Sequence, residues 1–369
     1  MARPKLGRND RVVVKVGTAS IVGSDGRPDE ERLLLLCREI AQLSSTGVDV
    51  VLVSSGAIAA GLAPLGLAAR PSDMPSLQAA AAVGQGLLVA RYARLFGDLG
   101  LVAAQMLLTR YDFMHRQQYL NARNTLDRLL ALGAVPIVNE NDTVAVDEIR
   151  FGDNDRLAAL VSNLARAKLL ILLTDTEGVH SADPRLFPDA PVLDEVDRIT
   201  PELERAVGGP GSELARGGMA SKLAAAWVAT FSSSGVVVAG SGERLPLQRI
   251  ANGERVGTYF HARPGRASAR RLWIAFGRPP CGTVIVDAGA SEAIVESKRS
   301  LLPVGVISVR GSFAAGDPVD VAEASGRVLA RGLVRYASEE LDTARGRSTT
   351  ELGGREVIHR DQLVILDGA

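Results

Sequence analysis

Cysteine is nearly absent from this sequence: two in 369 residues, Cys37 and Cys281. They lie far apart in unrelated contexts, which argues against a disulfide framework or a CxxC metal site and leaves both as packing residues. Histidine is equally scarce. His115, His180, His261 and His359 are scattered without ligand spacing, so none is given a catalytic role, and no metal site of the protein's own is expected. Neither sign of charge is in excess, because 42 Lys+Arg balance 42 Asp+Glu. That argues against a protein held to nucleic acid or membrane mainly by bulk electrostatics and leaves room for a local basic surface. No apolar run approaches a membrane span, and the basic opening MARPKLGRND is not followed by an apolar stretch long enough for a signal peptide. A cytoplasmic protein without membrane attachment is the expectation. Internal repeats and low-complexity tracts are also lacking.

What is present is a series of apolar, β-branched runs that each end in a polar tip: VVVKVGTAS, VVLVSSGAIAAG, VPIVNENDTVA and LLILLTDTEGV. Continuous apolar runs are the mark of parallel strands buried on both faces, and open α/β sheets bind ligands outside the carboxyl ends of their strands. The tips carry Lys15, Gly17, Ser55, Gly56, Asn139, Asn141, Asp142, Thr174 and Asp175. Phosphate-compatible donors beside carboxylates and amides point to a phosphoryl-transfer enzyme.

Strand and helix patterns alternate up to about residue 260, which predicts a mainly parallel sheet sandwiched by helices. Segment 29–46 has an acidic first turn, and Gly47 stands where a stop is expected. Segment 76–97 is rich in Ala, Gly and Leu, but Gln78, Gln85, Arg91 and Arg94 break its apolar surface. Close helix packing or an oligomer contact is expected of it. At 369 residues the chain is too long for one ordinary core. The stretch ARPGRASARR reads as a linker, placed at 263–279 between a domain over 1–262 and a small, mostly β module over 280–359, with a tail over 360–369.

The chemistry concentrates in a few motifs. Lys15 at the mouth of a strand, with Gly17 two residues later, lets an ammonium and a backbone amide converge on one anion. The Walker A pattern GxxxxGK[ST] is lacking. SSGAIAAG leads from a strand into a helix whose N-terminal amides suit an anion, although a simple Ser cap would look the same. NENDTVAVDEIRFGDNDRLAAL brings Asn139, Asn141, Asp142, Asp153, Asn154 and Asp155 beside strand ends. Capping explains one of them, not all. The alternating Asp run of a calcium loop is lacking. In RGGMASKLAAAW, Lys222 stands on the first turns of a helix, where a cation opposes the dipole. An anionic phosphate at the same end would justify it.

KVGTAS, SSGAIAAG, QMLLTR, LNARNTL, VPIVNENDTVA, GDNDRLAAL, LLTDTEGVHSADPR and GGMASKL, in this order, closely resemble the glutamate 5-kinase branch of the amino acid kinase family, and the later β module resembles a PUA domain. The resemblance implies that ATP, with Mg²⁺ carried by the nucleotide, phosphorylates the side-chain carboxylate of L-glutamate, the first step of proline biosynthesis. It implies that Lys15 and Lys222 neutralise the transferring phosphoryl group and that Asp155 holds both lysines. It gives Ser55, Gly56, Asn139, Asp142 and Asn154 to glutamate. It gives Lys15, Thr174, Asp175, Arg216, Gly217, Gly218, Met219, Ala220, Ser221 and Lys222 to ATP. Arg216 stands where the family often has Thr. The resemblance further implies feedback inhibition by L-proline, a homo-oligomer (dimer or tetramer) and RNA binding by the PUA-like module. Acetylglutamate, aspartate, carbamate and uridylate kinases share the sheet and the lysine logic, but the NEND and GDND pair and the β module favour free glutamate. The alternative from another class is an RNA-binding protein acting through the PUA-like module.

Overall fold

The β-branched runs form strands covered on both faces, as in Arg11–Val16, where Val12, Val13 and Val14 are fully buried. A computed structural model describes residues 3–23, 26–144, 154–182, 184, 186–200, 203, 206, 218–264, 269–276, 280–348 and 350–366. The chain divides into two units, Met1–Arg266 and Ala267–Ala369. In the first, β1 (Arg11–Val16), β2 (Asp49–Ser54), β3 (Val102–Leu108), β4 (Ala134–Glu140), β5 (Leu169–Thr174), β6 (Glu195–Val196), β7 (Gly235–Gly240) and β8 (Thr258–Phe260) build one sheet. Its order is β3-β4-β2-β1-β5-β7-β8-β6. β1 lies inside it, with Val12 opposite both Val50 and Leu169 in parallel register. The β7–β8 pair is antiparallel and the remaining pairs are parallel.

Helices cover both faces, for reasons legible in their residues. In the Glu30–Ser45 helix, Asp29 caps the start by accepting from the Glu31 and Arg32 amides at 3.0 and 3.1 Å. Gly47, at φ 87°, ends it. Leu33, Leu36, Cys37, Ile40 and Leu43 form its buried stripe, each large apolar side chain contributing about 1.5–3 kcal/mol on burial. This helix, the Met74–Asp98 helix and the Pro246–Ala251 helix share one core with Val12, Val14, Val16, Val50 and Leu52. Side chains alternate along a strand, so Lys15 of β1 turns to the opposite face. There the Asn154–Ala165 helix crosses β1, β2, β4 and β5 and packs beside the Met219–Phe231 helix. That alternation brings Lys15 to the layer where Asn154–Ala165 begins.

Two glycines let the Ala57–Leu62 and Met74–Asp98 helices approach until their backbones meet. A Cβ on Gly61 would lie 1.9 Å from Ala80 O, and one on Gly84 would lie 1.7 Å from Ala57 O. Gly61, the last residue of SSGAIAAG, is therefore a packing residue inside the Ala57–Leu62 helix. The close packing expected of segment 76–97 has this physical basis.

The second unit is a five-stranded sheet ordered β10-β9-β11-β12-β13, from β9 (Gly282–Val286), β10 (Val306–Gly311), β11 (Pro318–Glu323), β12 (Val328–Leu333) and β13 (Leu363–Ile365). Its own core gathers Val284, Val286, Ile294, Val319, Val321, Leu329, Leu341, Val357 and Ile358. Two expectations change here. The stretch 263–279, read as a linker, contains the helix Ala269–Phe276, which belongs to this unit. Leu272, Ile274 and Ala275 are buried, and Arg331 Nη1 donates to Ala275 O at 2.7 Å. The tail 360–369 contains β13, whose Val364 pairs antiparallel with Arg331 of β12. Among the described residues, no helix is long and apolar enough to cross a membrane.

Candidate active site

The strand order reverses its direction of growth at β1: β2, β4 and β3 lie to one side, β5 and β7 to the other. A crevice forms outside the carboxyl ends at such a point. Lys15 stands at that end of β1, with Ser55 and Asn139 on the β2 and β4 side and Thr174 on the β5 side.

Three charged groups meet in the crevice. Lys15 Nζ lies 2.5 Å from Asp155 Oδ1, and Lys222 Nζ lies 3.1 Å from Asp155 Oδ2. Ser221 Oγ donates to Asp155 Oδ2 at 2.8 Å, and Lys222 Nζ donates to Gly218 O at 3.1 Å. Lys15, Asp155 and Lys222 are 5%, 3% and 7% exposed, so these charges are held out of water. Burial alone would raise the Asp155 pKa. The adjacent Lys15 and Lys222 charges, with hydrogen bonds from Lys15 and Ser221, outweigh it and hold the carboxyl below its usual range. One carboxylate between two ammonium groups leaves one positive charge uncompensated within the triad, and burial of that excess is favourable when an anion shares the site. Glycine keeps side-chain bulk off both ammonium groups: a Cβ on Gly17 would touch Lys15 Nζ at 3.6 Å, and one on Gly218 would touch Lys222 Nζ at 3.7 Å. A polyphosphate fits this donor set.

Beside the triad lies a neutral polar cluster. Asn154 Nδ2 lies within hydrogen-bond reach of Ser55 Oγ at 2.9 Å, Asn139 Oδ1 at 2.9 Å and Ser54 O at 3.2 Å. Asn139 Oδ1 also accepts from the Glu140 amide at 2.9 Å. Since Asn154 and Asp155 are consecutive, the start of one helix joins this cluster to the triad. Gly56 takes φ 97° at the turn out of β2, a conformation that suits glycine.

The remaining expected residues fall around these two groups. Thr174 Oγ1 donates to Asp175 Oδ1 at 2.9 Å at the tip of β5, and Thr174 O accepts from the Ser241 amide at 2.7 Å. Met219 and Ala220 begin the helix that carries Ser221 and Lys222. Asp142 lies in the turn after β4, closed by the Val144 amide donating to Asn141 O at 3.1 Å. Arg216, Gly217 and Asp153 lie outside the described residues. Among the histidines, His261 Nε2 lies 3.0 Å from Glu195 Oε2, away from this crevice at the β6–β8 edge. Sequence reasoning gave no role to Tyr92, and it read Gln85 only as an interruption. Their seven-residue spacing puts both on one helix face, and the packing of that helix brings the face to the ends of β2 and β4.

Comparison with known proteins agrees with this geometry. The family model of the amino acid kinase family matches residues 10–240, and that of the PUA domain matches residues 282–352. The chain is 46% identical over 374 residues to a glutamate 5-kinase of Citrifermentans bemidjiense, covering 99% of this chain and 100% of that protein. It is 48% identical over 373 residues to a glutamate 5-kinase of Streptomyces coelicolor, covering 99% of each. The carbamate kinase from Giardia lamblia bound to AMP-PNP shares the fold, with a TM-score of 0.50 at 18% identity over 69% of this chain and 99% of that one. A sheet that turns about β1, a lysine–aspartate–lysine triad at its carboxyl edge and full-length similarity lead to one conclusion: the chain belongs to the amino acid kinase family.

Proposed function

We propose that the chain is a glutamate 5-kinase: it transfers the γ-phosphoryl group of ATP to the side-chain carboxylate of L-glutamate, giving L-glutamyl 5-phosphate and ADP for proline synthesis. A carboxylate oxygen forms the new bond to phosphorus as the bond to the β,γ-bridging oxygen breaks, and that oxygen leaves on ADP with the electron pair. The observation that carries the reading is the Lys15–Asp155–Lys222 triad joined through Asn154 to Ser55 and Asn139. Phosphoryl transfer depends on positioning and charge stabilisation more than on covalent participation. Lys15 and Lys222 supply the charge, and Asp155 keeps the two ammonium groups together. Ser55, Gly56, Asn139 and Asn154 hold the acceptor, and Asp142 pairs with its ammonium. Thr174, Asp175 and segment 216–222 contact the nucleotide, which brings Mg²⁺ with it. A coupled ADP-release assay across glutamate, N-acetylglutamate, aspartate and carbamate tests this. Glutamate is clearly preferred on this reading, and preference for another acceptor overturns it.

The same reading makes the enzyme a cytoplasmic homo-oligomer, dimer or tetramer. L-proline, an α-amino acid whose head group resembles that of glutamate, raises its apparent KM for glutamate. A second reading concerns the C-terminal unit, where a cavity of about 630 Å³ is lined by Ala290, Ala293, Leu302, Arg299, His359 and Arg360, and also by two carboxylates already engaged, Asp287 by the Ala290 amide at 2.7 Å and Glu356 by Arg335 at 3.5 Å. Apolar walls beside two guanidinium groups suit a base and its phosphate, which supports RNA binding by the PUA domain. Arg299→Ala together with Arg360→Ala abolishes binding of structured RNA in a gel shift on this reading, and unchanged binding refutes it.

A further inference from the structure

The Met74–Asp98 helix reaches the crevice through two buried polar side chains. Gln85 and Tyr92 lie two turns apart and so share a face. Gln85 Nε2 donates to Glu140 O at 3.2 Å at the end of β4, and Tyr92 OH lies 2.9 Å from Ser54 Oγ at the end of β2. β2 and β4 are neighbours, with Val53 opposite Val138. One helix therefore secures both tips that lead into the acceptor cluster.

The direction of the Tyr92–Ser54 bond follows from its protons. Ser54 Oγ donates to Ser55 O at 3.1 Å, which uses the one proton a serine hydroxyl carries. Tyr92 must then donate to Ser54 Oγ. Both residues are 0% exposed, so neither hydroxyl can exchange this partner for bulk water. Burial also pushes the Tyr92 phenol pKa up, which keeps its proton in place.

The relay ends on a carbonyl whose orientation reaches the site. The Ser55–Gly56 peptide is trans, so tethering Ser55 C=O toward Ser54 sends the Gly56 N–H in the opposite direction. Gly56 is the residue of this turn with the widest backbone freedom. The Ser55 amide donates to Val16 O at 3.2 Å and Gly56 O accepts from the Ala60 amide at 2.9 Å, which hold the peptides on either side, and the Ser54 tether orients the peptide between them.

We propose that Tyr92 is a positioning residue for the phosphoryl acceptor: through Ser54 it locks the Ser55–Gly56 peptide so that the Gly56 amide and the Ser55 hydroxyl are presented together to the acceptor's carboxylate. The identity of that acceptor rests on the glutamate-kinase reading; the relay itself does not.

The test uses the full chain and three variants: Tyr92→Phe, Ser54→Ala and the two combined. Each single variant raises KM for glutamate by roughly 10-fold, the scale of one lost hydrogen bond, while KM for ATP moves by less than about twofold. The double variant is no worse than the more affected single one, because both remove links of one chain. In the absence of any ligand, Tyr92→Phe speeds amide hydrogen exchange over residues 54–58 and leaves β1 and β5 unchanged. Equal shifts in both KM values, additive effects, or unaltered exchange over 54–58 would overturn the proposal, as would a lowered Tm with neither signature. Lack of glutamate turnover by the unsubstituted chain would sink the acceptor assignment instead, and the exchange measurement would still decide the relay.

Discussion

Replacing Asp155 by asparagine keeps the side-chain shape and removes the charge that joins Lys15 and Lys222. The separations of 2.5 and 3.1 Å correspond to about 5–7 kcal/mol of attraction each at an effective dielectric constant of about 20, before desolvation is subtracted. Breaking buried pairs of this kind costs about 3–5 kcal/mol, mainly because the partner charge stays behind without compensation. Here two ammonium groups stay behind, so we expect a loss near that range and a fall in Tm of about 6–12 °C. We expect kcat to fall by about 10²-fold or more, since both phosphoryl-facing cations lose their fixed geometry. Steady-state kinetics and thermal unfolding with and without MgATP read both effects. Because bound nucleotide supplies the missing negative charge, MgATP should raise Tm more in the variant than in the unsubstituted chain. A variant with kcat within about threefold of the original and an unchanged Tm would refute the reasoning.

Lys222→Ala should lower kcat by about 10²-fold through loss of one preorganised contact, measured at saturating glutamate and ATP; near-original kcat would remove it from the mechanism. Gly84→Ala should destabilise the first unit by about 3 kcal/mol or more in denaturant unfolding, because its Cβ would stand 1.7 Å from Ala57 O and backbone cannot yield as a side chain can. Glu39 accepts from the Leu247 amide at 2.9 Å and is pushed by burial from 4.5 to about 7. The folded state therefore holds an extra proton between those values, and this group's contribution to stability falls as pH rises through that window. Glu39→Gln should flatten the decline by about 1–2 kcal/mol, the larger linkage figure being reduced for partial solvent exposure; an unchanged stability profile from pH 4.5 to 7 would contradict it.

The sheet was legible because its strands are buried on both faces, which leaves runs such as VVVKV and LLILLT with no solvent-facing position to encode. The candidate site was legible for a related reason: charged and amide side chains following such runs have few structural explanations. Lys15 within an apolar strand and Lys222 against a helix dipole were both anomalies that the shared Asp155 resolves. What stayed hidden depends on packing between elements. Tyr92 reads as an ordinary core aromatic until the helix is laid on β2, and Ser54 reads as a cap until its hydroxyl is found facing that helix. The Ala269–Phe276 helix was obscured by the Arg, Gly and Pro of ARPGRASARR, whose last three residues begin it, although Leu272 and Ile274 are buried. A last strand is suggested by REVIHRDQLVIL, but β13 is three residues long, too short for a period to show that the module runs on past residue 359.

The most direct measurement of the central claim is chemical capture of the product. An acyl phosphate reacts with hydroxylamine, so chain incubated with MgATP, L-glutamate and hydroxylamine should release ADP and yield the γ-hydroxamate of glutamate in equal amounts. The rate of formation of both products should fall by about 10²-fold or more in Asp155→Asn. ADP release without hydroxamate, or hydroxamate formed equally well from N-acetylglutamate or aspartate, would contradict the account.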